Sequence, residues 1–198
     1  MFTGDIDFTS VTSNREVNNY ETRINTFRIL VADDESSILD LFLQFLSRVN
    51  TDFNVQSKTR RSDEKLFCQN TLNLPSPSFD IVTCQQADEA FDAVKDSLEC
   101  DRPFSVAFID VRMPPGPDGV WAAEHIRKLD SDIEIVIMTG YTDISPDVIA
   151  RRVPPAHKLL YIQKPFKSHE ISQFAFALSM KWHGERQLHE VHEELEVR

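Results

Sequence analysis

Apolar residues fall in five short runs along the 198-residue chain, separated by longer amphipathic stretches. The runs Phe27 to Ala32, Phe79 to Cys84, Phe104 to Asp110, Ile133 to Thr139 and Leu159 to Gln163 hardly alternate, the pattern of strands covered on both faces. Between the first two, Ile38, Leu39, Leu41, Phe42, Phe45 and Leu46 recur at spacings of three and four and predict a helix from Ser36 to about Val49. Further helices are expected from Asp88 to about Leu98, from Gly119 to about Leu129, near Asp147 to Arg152, and from Ser168 onward. Strands alternating with helices need crossover connections, so the pattern predicts an α/β fold with a doubly wound parallel sheet.

Two segments break this rhythm. Residues 1–26 are polar and aperiodic, and read as a leader that docks, if at all, through Phe2 or Phe8. Residues 51–78 are far longer than an ordinary helix-to-strand connection and read as an insertion with a short helix around Glu64 to Asn70. The expected division is therefore a leader at 1–26, a domain at 27–182 interrupted at 51–78, and a helical linker at 183–198.

A formal net charge of -11 disfavours nucleic acid and anionic membrane as partners, since both are negative. No stretch has the length and apolarity of a membrane span, and the N-terminus lacks a secretory signal pattern, so the expected location is cytoplasmic. Cys68, Cys84 and Cys100 include no Cys-x-x-Cys pair and read as reduced thiols.

The chemistry lies where the apolar runs stop. Asp33 and Asp34 follow the first, Asp110 ends the third, Thr139 ends the fourth, and Lys164-Pro165 follows the fifth. In an open parallel sheet the carboxyl ends of the strands line one crevice. Three carboxylates there suit Mg²⁺, which takes hard oxygen ligands and keeps several waters. An aspartate so placed can attack phosphorus while a cation neutralises the equatorial oxygens. Taken singly, each residue has a plainer reading: Asp34 as a helix cap, Lys164 as a solvated strand-end charge, Tyr161 as a core aromatic, Thr139 as an ordinary strand residue. Their joint register favours chemistry. Pro165 could hold a cis bond and so fix the turn, although cis is the minority form for an X-Pro bond.

Asp-Asp after the first strand, Ile-Asp-Val-Arg-Met-Pro after the third, Met-Thr-Gly after the fourth and Gln-Lys-Pro-Phe after the fifth together resemble a response-regulator receiver domain over roughly residues 27–182. The resemblance implies a flavodoxin-like five-stranded sheet of order 2-1-3-4-5 with an extended C-terminal helix. It implies Asp110 as the phosphoacceptor, and Asp33, Asp34, Asp110 and the backbone carbonyl of Arg112 around Mg²⁺. Lys164 would pair with the phosphoryl group, with Thr139 and Tyr161 as switch residues. The implied partners are a histidine kinase or histidine phosphotransfer protein and a fused output domain, such as a diguanylate cyclase or histidine kinase, of which the chain would be the N-terminal fragment. The run Pro114-Pro115-Gly116-Pro117-Asp118-Gly119 departs from the usual Met-Pro-x-x-Asp-Gly, and Arg112 and Tyr141 are large residues expected to tune water access to the phosphate.

Two other functions compete. A haloacid dehalogenase-like phosphatase would need an acid–base aspartate two residues after the nucleophile, where this chain has Arg112. A degenerate receiver serving as a phosphorylation-independent docking module fits poorly with a complete residue set. Beyond the domain, Leu188, Val191 and Leu195 form a broken apolar seam, interrupted by Lys181 and Glu185, that suits pairing with a second copy. His183, His189 and His192 match neither the zinc-binding His-Glu-x-x-His spacing nor a kinase phosphoacceptor motif, and read as solvated.

Overall fold

The computed structural model describes residues 26–56, 78–140 and 145–196. The leader up to residue 25, most of the insertion with Cys68 and the expected short helix at 64–70, and Tyr141 lie outside the described residues. The elements run β1 (Thr26–Ala32), α1 (Ser36–Gln56), β2 (Ser78–Cys84), α2 (Ala87–Glu99), β3 (Val106–Asp110), α3 (Gly119–Leu129), β4 (Glu134–Thr139), α4 (Pro146–Arg152), a 3-10 turn (Ala156–Lys158), β5 (Leu159–Gln163) and α5 (Ser168–Glu196). All the strand pairings are parallel, and the sheet order is β2-β1-β3-β4-β5.

The expected strands and helices are present, most with ends shifted by a residue or two. The exception is α1, which runs through residues 51–56 and so takes the first turn and a half of what reads as insertion. Asn50, Thr51 and Asp52 favour turns, but only by tenths of a kcal/mol each relative to ordinary helix residues.

Alternation along β1 divides the interior. Leu30 and Ala32 pack with Ala107, Ile109, Ile135 and Ile137 beneath α2, α3 and α4. Phe27, Ile29 and Val31 pack with Phe42, Val106, Phe108 and Ile171 beneath α1 and α5. Phe42 sits edge-on to Phe108 at 4.9 Å between ring centroids. β3 is the central strand and β1 its neighbour, so the ends of these two strands lie side by side on the sheet's carboxyl edge.

The opposite edge is tied by charge. Glu134, at 0% exposure, opens β4 and pairs with Lys181 of α5. Lys181 also contacts Glu185 at 3.2 Å, and Glu185 contacts Lys158 at 2.9 Å. The buried guanidinium of Arg127 donates to the carbonyls of Ser131, Ile133 and Lys158 at 2.7–2.9 Å, closing the turn between α3 and β4. These contacts hold α5 against the base of the sheet, beyond which Leu188, Val191 and Leu195 are exposed. His183 is a correction to the solvated reading: it is half-buried, with its ring edge-on to Phe27 at 6.0 Å. Among the described residues, no helix is long and apolar enough to cross a membrane.

Candidate functional site

Each site residue is delivered by the end of a strand. The backbone N–H of Asp33 donates to the Cys84 carbonyl at the end of β2, which holds Asp33 at the carboxyl edge next to the central strand β3, with 0% exposure. Its Oδ1 accepts from the Glu35 N–H at 3.0 Å, the local turn that starts α1. Asp110 ends β3, and its Oδ2 accepts from the Arg112 N–H at 2.8 Å. The Lys164 N–H donates to the Thr139 carbonyl at 2.8 Å, so the ends of β4 and β5 are joined at the site.

Lys164 is the connector. Its Nζ lies 2.7 Å from Asp33 Oδ2 and 2.8 Å from Asp110 Oδ1. The Lys164–Pro165 peptide that follows is cis, the minority form that the sequence left open. Asp34 is less buried and completes a cluster in which one oxygen from each of Asp33, Asp34 and Asp110 lies within 4.8 Å of the others.

Burial pushes the Asp33 carboxyl above its ordinary range, and neighbouring Asp110 adds to this, while Lys164 and the Glu35 N–H oppose it. Burial alone would lower the Lys164 ammonium, but its contacts with Asp110 and Asp33 outweigh that and hold it above its ordinary value. With all three carboxylates ionised, one ammonium leaves an excess of two negative charges, which a divalent cation would match. Hard oxygen donors and this charge excess both fit Mg²⁺.

The sequence-expected residues are thus largely brought together. Thr139 ends β4, half-buried, beside the Lys164 backbone. Tyr161 sits on β5 with its hydroxyl donating to the Pro146 carbonyl at the start of α4, 3.0 Å away. Burial raises its phenol pKa, and nearby Asp147 adds to the rise. The Arg112 side chain is exposed beside Asp110. Cys84 is buried, which pushes its thiol up to about 11 and leaves it inert beneath the site.

Two contacts at the site escaped the sequence reading. Gly119 packs so closely that a Cβ built on it would lie 1.7 Å from the Asp110 carbonyl oxygen. Gly119→Ala must therefore move the backbone carrying Asp110, and is expected to cost about 3 kcal/mol, the upper range for overpacking. Urea unfolding checks this, and an unchanged midpoint would count against it. Gln86 makes the second: its amide bonds to the loop after Asp110 on both sides, and a glutamine past a strand end carries no signal of that in sequence.

Comparison with known proteins agrees with this geometry. A family model described as "Response regulator receiver domain" matches residues 62–175. The fold is similar to a CheY-like response regulator receiver domain protein from Methanospirillum hungatei JF-1, at 18% identity and TM-score 0.56 over 81% of this chain and 99% of that one. It is similar to NtrX from Brucella abortus, at 22% identity and TM-score 0.58, where 83% of this chain spans only 29% of NtrX. It is also similar to an adenylate cyclase structure from Rhodopirellula baltica, at 21% identity and TM-score 0.59 over 85% of this chain and 98% of that one. None of the curated proteins compared with it matches the chain.

Proposed function

The chain belongs to the response regulator receiver domain family, the matched segment covering more than half of it, and from that premise we propose a phosphorylation-controlled switch with Asp110 as the phosphoacceptor. The observation that carries this is the double ion pair of Lys164 with Asp33 and Asp110 at the centre of the sheet's carboxyl edge.

Asp33, Asp34, Asp110 and the Arg112 carbonyl would hold Mg²⁺, which when bound supplies positive charge against the developing phosphoryl oxygens. Asp110 Oδ1, at 2.8 Å from Lys164, is the proposed nucleophile: it forms the new O–P bond as the donor's leaving group departs with the electrons of the old one. Lys164 then exchanges part of its contact with Asp110 for a phosphoryl oxygen. The Thr139 hydroxyl, at the end of the adjoining strand, donates to another, and that movement alters the space beside Tyr161 and the Tyr161–Pro146 bond.

The phosphoryl donor is proposed to be a histidine kinase or histidine phosphotransfer protein in the cytoplasm, and the output a fused domain of the cyclase or kinase kind. The division into leader, receiver with insertion, and linker belongs to the same reading. Leu188, Val191 and Leu195 are 74, 55 and 65% exposed at spacings of three and four on α5, which suits a second copy of the helix. Sedimentation velocity with and without Leu188→Glu checks the pairing: loss of a dimer species in the variant supports it, and an unchanged monomer in both rejects it.

The function is tested by incubating the protein with Mg²⁺ and acetyl phosphate and reading intact mass. A gain of one phosphoryl group, dependent on Mg²⁺ and removed by mild base, is expected. No gain, together with no uptake of beryllofluoride, would leave only a phosphorylation-independent docking role.

A further inference from the structure

We propose that Gln86 is a positioning residue for the metal side of the site, acting through the backbone of the loop from Val111 to Asp118. This rests on the reading of Asp33, Asp34, Asp110 and the Arg112 carbonyl as the cation's ligands. The loop is pinned at its ends, where the Val111 N–H donates to Met138 at 3.1 Å and the Gly119 N–H donates to Val111 at 2.9 Å. Below, Met113 is buried at 1% exposure. Its middle has few means of holding itself, because Pro114, Pro115 and Pro117 carry no backbone donor.

Gln86 supplies the missing tie. Its Nε2 donates to the Pro114 carbonyl at 3.1 Å, and its Oε1 accepts from the Gly116 N–H at 3.3 Å. One amide thus imitates a peptide rung, meeting a donor and an acceptor two residues apart. The residue immediately precedes α2, at its N-cap position and in extended conformation, yet its side chain makes no capping bond there. Its amide is thus engaged by the loop and not by its own helix end. Gly116 permits the approach, since a Cβ on it would lie 2.9 Å from Gln86 Oε1. The Pro114 carbonyl held by Gln86 lies two residues past Arg112, whose N–H is itself bonded to Asp110, so the tie would limit how far the Arg112 carbonyl can move.

Partner groups that orient metal ligands commonly carry tenfold or more in affinity. Titration calorimetry of Mg²⁺ into the full chain is the test, with wild type, Gln86→Ala, Gly116→Ala and the double variant. Gly116 has no positive φ, so alanine fits its backbone and acts only by displacing the amide. Each single change is expected to weaken Mg²⁺ binding about tenfold. The double variant is expected to bind no more weakly than the weaker single, because both break one contact. A purely structural role would instead shift the urea midpoint and leave the dissociation constant alone. Singles that bind as wild type does, or losses that multiply in the double, overturn the proposal. A wild type that binds no Mg²⁺ overturns this proposal and the ligand assignment beneath it together, whereas intact wild-type binding with unaffected variants overturns this proposal alone.

Discussion

Asp110→Asn is expected to take up no phosphoryl group under conditions that label the wild type, with the fold retained. The amide oxygen can still accept the Arg112 N–H bond that Asp110 Oδ2 accepts at 2.8 Å, so the loop keeps its local anchor. Lys164 keeps Asp33 at 2.7 Å. What disappears is the anionic oxygen that would attack phosphorus, and a neutral amide is no substitute nucleophile. The change also removes a like charge that raises the Asp33 carboxyl, which favours ionised Asp33 and offsets part of the lost ion pair. Intact mass reads the adduct and circular dichroism reads the fold. A phosphoryl group persisting on the folded variant would point to Asp33 or Asp34 as the acceptor.

Lys181→Met is expected to be the most costly single change at the far edge of the sheet. It leaves Glu134, fully buried and with one oxygen lacking any hydrogen-bond partner, without its cation. Breaking such a pair typically costs about 3–5 kcal/mol, a large part of a domain's stability. The pH dependence identifies the cause. Burial raises the Glu134 carboxyl above its ordinary value, while Lys181 and Lys158 oppose the rise. A carboxyl raised by folding favours the folded state below its unfolded pKa of about 4.5, and that contribution is lost as pH climbs through the folded pKa. Without Lys181 the rise is greater, so the deficit should be large at neutral pH and shrink on acidification. Urea unfolding at two pH values measures it. Glu134→Gln combined with Lys181→Met should recover most of the loss at neutral pH, since no buried charge remains. A deficit indifferent to pH would mean that the methylene packing of Lys181, not its charge, is what matters.

The sheet and the edge that carries the candidate site were legible because both depend on short-range pattern. Runs such as Val-Ala-Phe-Ile before Asp110 are apolar on both faces only if helices cover both, and parallel topology then carries every strand-end residue to one edge. Asp33, Asp110 and Lys164, far apart in sequence, meet for that reason alone. The rest depended on pairings that no local pattern announces. Lys181 and Glu185 look like flaws in the apolar seam of α5, and their purpose appears only once Glu134 and Lys158 are in place beside them. His183 stands among charged neighbours in sequence, yet the helix turns it onto Phe27. The Gln86 clamp needs the exact lie of a proline-rich loop, which propensity does not supply.

Helix α5 leaves the sheet at the edge where β4 begins, and Asp110 stands at the edge where the parallel strands end. A six-residue strand of about 3.3 Å per residue separates the two by roughly 20 Å. The far part of the helix itself does not touch the acid cluster, and the charge of a phosphoryl group would be felt there only weakly through more than a screening length. On the proposed reading, what travels that distance is displacement. A body joined to the helix would sense how the β4–β5 margin leans, while remaining blind to which anion made it lean, so a beryllofluoride adduct and a phosphate adduct should be indistinguishable to it.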